Sequence, residues 1–90
     1  MGSNISILQG VNMNFNQAVG FTLRRIRQDK ELTLRQVSSK SFIAVGHLSA
    51  IETATRNPSL HTVEQVCTKG LDIQMTELMK EIYKTLKETA

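Results

Sequence analysis

The 90 residues contain no tryptophan and only one cysteine, one proline and one tyrosine. The single cysteine, Cys67, excludes an internal disulfide. With only His47 and His61 beside it as nitrogen ligands, it also excludes a zinc cluster. A reducing cytoplasm is the expected setting. No stretch approaches the roughly 20 consecutive apolar residues of a membrane span. No charged region followed by an apolar run opens the chain, so a secretory leader is not expected. Strict apolar–polar alternation is also missing, which argues against strands. Leu, Ile, Val and Met supply nearly all the bulk, and that suits helices packed on helices in one small domain.

Charge is unevenly placed. Residues 1–14 carry none. Residues 15–57 hold seven Lys/Arg against three Asp/Glu, a net +4, while residues 58–90 hold four against five, a net −1. The basic excess therefore lies in the middle of the chain, and a basic face attracts a polyanion. Many solvated helices share such a bias.

The spacing predicts five helices. Residues 1–14 are Gly/Asn/Ser-rich with one Ile5/Ile7/Leu8 cluster, and are expected to form a flexible arm. Phe15, Ala18, Val19, Thr22, Leu23 and Ile26 share one stripe of a first helix over about 15–30, with Asn14 or Asn16 as its cap. Thr33 followed by Gln36 forms a capping box at the start of a short second helix. Leu34 and Val37 are its apolar contacts. A third helix fits Val45 to about Thr53, with Leu48 and Ile51 inward. Residues 54–59 form a loop, since Asn57-Pro58 resists helix. Ser59 caps a fourth helix with Leu60, Val63, Val66 and Cys67 inward. From about Met75, the residues Met75, Leu78, Met79, Ile82 and Leu86 make an amphipathic stripe on a last helix.

Two short helices joined by a three- or four-residue turn in a small basic all-α domain suggest a helix-turn-helix. Gly20, Leu23-Arg24, Arg27, Leu32-Thr33, Val37-Ser38, Ile43, Leu48-Ser49, Ile51-Glu52, Asn57-Pro58-Ser59-Leu60 and Glu77-Leu78 fall in one register without a gap. On these residues the stretch 19–79 resembles the phage-repressor (Cro/CI, or XRE) family. Leu32 to Ser38, with Val45 to Ser49, is similar in particular to its Clp-gene-regulator branch.

The resemblance implies an all-α, five-helix phage-repressor-like bundle containing a helix-turn-helix at residues 15–74. An extended C-terminal helix follows at 75–90. It implies duplex DNA as partner and a homodimer, with no cofactor, no membrane and no small-molecule effector. The second helix of the pair, about 45–53, is expected in the major groove. Its outward residues are Ala44, Val45, Gly46, His47, Ser49 and Ala50. Thr33, Leu34 and Arg35 lie at the start of helix 2, where free amides favour a phosphate. Lys40 and Arg56 add charge around the motif. Arg27 and Glu52 match a family ion pair, either purely structural or also setting the recognition helix's pose.

Several positions depart from the family pattern. Phe42, Ala54 and Asp72 stand where the family has glycine, and a Phe at positive φ is costly. Phe42 is expected either to pack as core or to lie exposed as a contact. Ala44 replaces the usual Ser/Thr cap of the recognition helix. Only His47 and Ser49 offer polar side chains to the groove, so phosphates and DNA shape are expected to carry much of the affinity. His47 is either a base or phosphate reader or an idle surface residue.

Cys67 is expected to be a buried small hydrophobe. No catalytic constellation is present, so an enzyme is not expected. Met79, Ile82, Tyr83 and Leu86 are expected dimer contacts. The leading reading is a dimeric DNA-binding transcriptional regulator. The alternative is a protein-interaction module on the same fold, such as a phage or plasmid accessory protein or an antitoxin, motivated by Phe42 and the apolar groove face.

Overall fold

The computed structural model describes residues 12–89. Five helices and no strand are present among them: α1 Phe15–Asp29, α2 Leu34–Ser41, α3 Val45–Glu52, α4 Leu60–Gln65 and α5 Met75–Thr89. A π-helical turn, Val66–Gly70, continues α4. Most of the expected arm, residues 1–11, lies outside the described residues. Of its last residues, Met13 packs against the core and Asn14 caps α1.

The helix starts follow local chemistry. Asn14 Oδ1 accepts the Gln17 amide at 2.8 Å and Gln17 Oε1 accepts the Asn14 amide at 3.0 Å, a reciprocal capping box. Thr33 and Gln36 make the same exchange at 3.1 and 2.8 Å at the start of α2. Ser59 Oγ accepts the Thr62 amide at 3.1 Å and starts α4. Ala44 gives α3 no side-chain cap.

The helix ends are less ordinary. Helix α1 closes with Leu32 N–H donating to Arg27 O at 3.0 Å and Glu31 N–H to Gln28 O at 2.9 Å. Helix α3 repeats this with Thr55 N–H to Ala50 O at 2.9 Å and Ala54 N–H to Ile51 O at 3.1 Å. Both are Schellman closures, which place one residue in the left-handed region. Here that residue is Glu31 (φ 58°) or Ala54 (φ 59°), and Phe42 (φ 62°) and Asp72 (φ 57°) take the same conformation elsewhere.

Helix α1 crosses both α3 and α5, while α2 lies on α3 and on the π-helical turn. Ala18, Val19, Leu23 and Ile26 from α1 meet Val37, Leu48, Ile51, Val63, Val66, Cys67, Leu71, Leu78 and Ile82 in one core. Two glycines let backbones meet. A Cβ on Gly20 would stand 2.3 Å from Ile51 O and 2.8 Å from Glu52 O. One on Gly70 would stand 2.8 Å from Val37 Cγ1. Gln65 Nε2 donates to Ser41 O at 2.8 Å and ties the end of α2 to α4.

Two expectations are corrected. Phe15, placed on the buried stripe, is 49% exposed and sits 6.4 Å from the ring of Tyr83. It is the first residue of α1, and Tyr83 partners its ring. Leu60, placed inward, is 73% exposed, because the buried stripe of α4 begins at Val63. The fully buried line of α5 runs through Leu78, Ile82, Thr85 and Thr89, with Met75, Met79 and Leu86 of the expected stripe packed half-buried beside it. Two threonines are buried there. Thr85 Oγ1 donates to Glu81 O at 3.0 Å and lies 3.2 Å from Thr22 Oγ1, so the polar groups are satisfied.

Candidate nucleic-acid interface

Helices α2 and α3 are joined by Phe42, Ile43 and Ala44. Leu48 and Ile51 anchor α3 in the core at 2% and 1% exposure, which fixes the opposite face outward. At about 100° per residue, Val45, Gly46, Ser49 and Ala50 occupy that outward arc. Val45 and Gly46 are exposed, and Ser49 and Ala50 are half-buried. Ala44, just ahead of the helix, is exposed as well. His47 falls about 40° from Ile51 around the axis, at the edge of the core stripe, and is half-buried there.

The ion pair between α1 and α3 is bidentate. Arg27 Nε reaches Glu52 Oε2 at 2.7 Å, and Nη2 reaches Oε1 at 3.0 Å. Arg27 Nη1 also donates to Leu32 O at 2.8 Å, just before α2 begins. One guanidinium therefore ties together α1, the end of α3 and the approach to α2. The bonds to Glu52 raise the Arg27 pKa further, so its charge is permanent.

The remaining cations surround this pair of helices unevenly. Arg24, Arg35, Lys40 and Arg56 are all exposed. Arg35 and Lys40 are five residues apart on α2, about 140° around its axis, and point to different sides. Thr33 is exposed, with its hydroxyl occupied by the Gln36 amide. Leu34 is half-buried and packs against the core, as expected of an apolar contact of α2.

The loop that carries Arg56 is fixed in a way the sequence did not signal. Asn16 Nδ2 donates to Arg56 O at 3.4 Å and to Asn57 Oδ1. Thr53 Oγ1 donates to Ser49 O at 2.9 Å and Thr55 Oγ1 to Ala50 O at 3.3 Å, folding the loop back on α3.

Of the expected dimer contacts, Ile82 is corrected. It is fully buried against the chain's own core and unavailable to a second copy. Tyr83 is 56% exposed, and Met79 and Leu86 are half-buried. Met75, Met79 and Tyr83 line a shallow apolar groove edged by Lys80, Lys84 and Lys87. Among the described residues, no group of three His, Cys, Asp or Glu is disposed to hold a metal ion. None of the described helices is long and apolar enough to cross a membrane.

A helix anchored by its inner face and bare on its outer one, preceded by a capped short helix and a three-residue turn, defines a helix-turn-helix domain. The chain belongs to the helix-turn-helix family of XRE type, whose model matches residues 23–78. It is 36% identical over 52 residues to the transcriptional regulator ClgR of Mycobacterium tuberculosis, covering 58% of this chain and 46% of that one. The chain thus spans about half the length of that relative. It is 30% identical over 67 residues to an uncharacterised HTH-type transcriptional regulator, y4dJ, of Sinorhizobium fredii, covering 74% of this chain and 86% of that one.

Among solved structures, the clp gene regulator ClgR of Corynebacterium glutamicum superposes with a TM-score of 0.77 at 26% identity, over 84% of this chain and 80% of that one. The restriction-modification controller protein C.Esp1396I superposes with a TM-score of 0.79 at 24% identity, over 83% of this chain and 97% of that one. That controller was solved as a tetramer in complex with its natural 35 base-pair operator, and the likeness to it is one of fold.

Proposed function

We propose that the chain is a DNA-binding transcriptional regulator that docks α3 in the major groove, as a dimer. The observation that carries this is the outward arc of α3, where Val45 and Gly46 are exposed while Leu48 and Ile51 hold its back in the core. Arg35, at the N-terminal turn of α2, and Arg56, on the loop after α3, are the proposed phosphate contacts. Ala44, Val45, Gly46, Ser49 and Ala50 face the base pairs, with His47 at the margin. The solved operator complex of the controller protein supports the reading by analogy of fold.

The exposed face of α5 is the proposed dimer surface, built from Met79, Tyr83 and the flank of Leu86. A symmetric dimer sets two recognition helices about 34 Å apart, on two half-sites one turn apart. The reading includes no enzymatic step and places the protein in the cytoplasm.

Selection of duplex sites from a random pool, followed by gel-shift with the purified protein and measurement of its mass in solution, tests this. A retained site bound by a dimer, with affinity falling steeply as salt rises, is the expected result. Failure to bind any duplex at low salt overturns it.

One observation favours a second reading. Phe42 is 81% exposed and Val45 40%, at the same end of α3. A protein-interaction module would use that apolar surface. On that reading, any residual DNA binding would not change on Arg35→Ala or His47→Ala.

A further inference from the structure

The outward arc of α3 is poor in hydrogen-bonding groups. Ser49 is its one polar side chain, and it is half-buried. In the major groove, base edges present acceptors, amino donors and, on thymine, a C5 methyl. Val45, 40% exposed, is a branched apolar side chain in the first turn of the helix. Pressed against an amino or carbonyl edge, it would leave that group desolvated and unpaired. Pressed against a methyl, it gains contact with no such penalty.

Gly46 supplies a separate observation. It lies in the first turn of α3 with ordinary helical backbone, so no positive φ calls for glycine there. The fold requires Gly20 and Gly70, because a Cβ at either would collide with neighbouring atoms. Among the described residues, a Cβ at Gly46 meets nothing within 4 Å. No contact among them accounts for this glycine, whereas a partner that approaches the helix backbone closely does.

Building on the DNA-binding reading, we propose that α3 reads thymine C5-methyl groups. Val45 and Ala50 are the contacts, and Gly46 is the clearance that brings the helix backbone close to the base pairs. Specificity then comes from T·A pairs being tolerated against an apolar surface that penalises the polar edges of other pairs.

The experiment uses the full chain and a duplex it selects, with each thymine replaced in turn by deoxyuridine, which deletes only the methyl. At least one substitution is expected to lower affinity about four-fold, the worth of one buried methyl group. In Val45→Ala, the effect at that thymine is expected to shrink below about two-fold. Gly46→Ala is expected to stay folded, melting no lower than the parent. It is also expected to lose about ten-fold of its preference for the selected site.

Binding to no duplex at all would defeat the DNA-binding reading itself. Tight binding to a selected duplex in which no deoxyuridine changes affinity by about two-fold would overturn the methyl reading alone. So would a Gly46→Ala protein that keeps its full site preference.

Discussion

Arg27 and Glu52 lock α1 to the last residue of α3 through two parallel bonds of 2.7 and 3.0 Å. Their side chains are 12% and 9% exposed, so the pair is largely withdrawn from water. Its neighbour in the same contact is Gly20, whose missing Cβ allows α1 to approach the Ile51 and Glu52 carbonyls. Helix α3 is therefore held at its C-terminal end by one ion pair and one close backbone approach.

Removing one partner leaves an uncompensated buried charge. Glu52→Ala is expected to destabilise the fold by about 3 kcal/mol in urea unfolding. The double replacement Arg27→Met with Glu52→Leu is expected to recover most of that loss, because apolar residues of similar volume suit such a site. A double variant as unstable as the single one would show that the pair contributes net stability and is not chiefly a positioning device.

Phe42 ends α2 at φ 62° with 81% of its surface exposed. Its ring gains little from burial and its backbone is strained by about 1 kcal/mol. Phe42→Gly relieves the strain but loosens the unfolded chain. The net expectation is a gain of about 0.5 kcal/mol, seen as a rise of about 3 °C in melting temperature. A drop on this substitution would show that the ring is supporting the turn.

Much of this was readable from residue spacing. The capping pair Thr33/Gln36 marked the start of α2 to the residue, because both groups are local and three apart. Leu48 and Ile51 marked the inner face of α3 by period alone. Where long-range pairing decides burial, spacing misled. Thr85 is buried because Thr22, across the core, meets its hydroxyl, and hydropathy cannot register that. Ile82 stands on the apolar stripe of α5, but spacing cannot tell a core position from a dimer contact, and it belongs to the core. Leu34, which spacing offers both as an apolar contact of α2 and as a neighbour of a phosphate, packs on the core. Asn16, by spacing only an alternative cap for α1, gives no sign of the loop it holds, which is 40 residues away in sequence.

Cys67 is fully buried, with its thiol 3.4 Å from Ile73 O. Burial, helped by the charges of Glu77 and Glu64, pushes its pKa from 9.0 up to about 11. The folded value is the higher one, so the thiol's contribution to stability is fully present below pH 9 and is lost as pH rises toward 11. The urea midpoint is therefore expected to fall above pH 9, and to fall less in Cys67→Ala, which lacks this group. A thiol reagent is expected to label the parent only in denaturant. Equal alkaline loss in both proteins would assign the effect to other groups.

Asn16 and Arg56 give the sharpest test of how the proposed interface is assembled. Asn16 contributes no charge, yet its amide holds the Arg56 carbonyl and Asn57. If Arg56 meets a phosphate, Arg56→Ala weakens binding to all duplexes alike and lowers the salt slope by about one. If Asn16 acts by presenting Arg56, then Asn16→Ala weakens binding in the parent but has no further effect once Arg56 is alanine. Anisotropy titrations of the four proteins over a range of salt measure this cycle directly. Additive losses would mean that Asn16 contributes by a separate route, and an unchanged slope in Arg56→Ala would remove this loop from the interface. The loop's position, set from α1, would then serve only to close α3, where Thr53 and Thr55 already hold its last carbonyls.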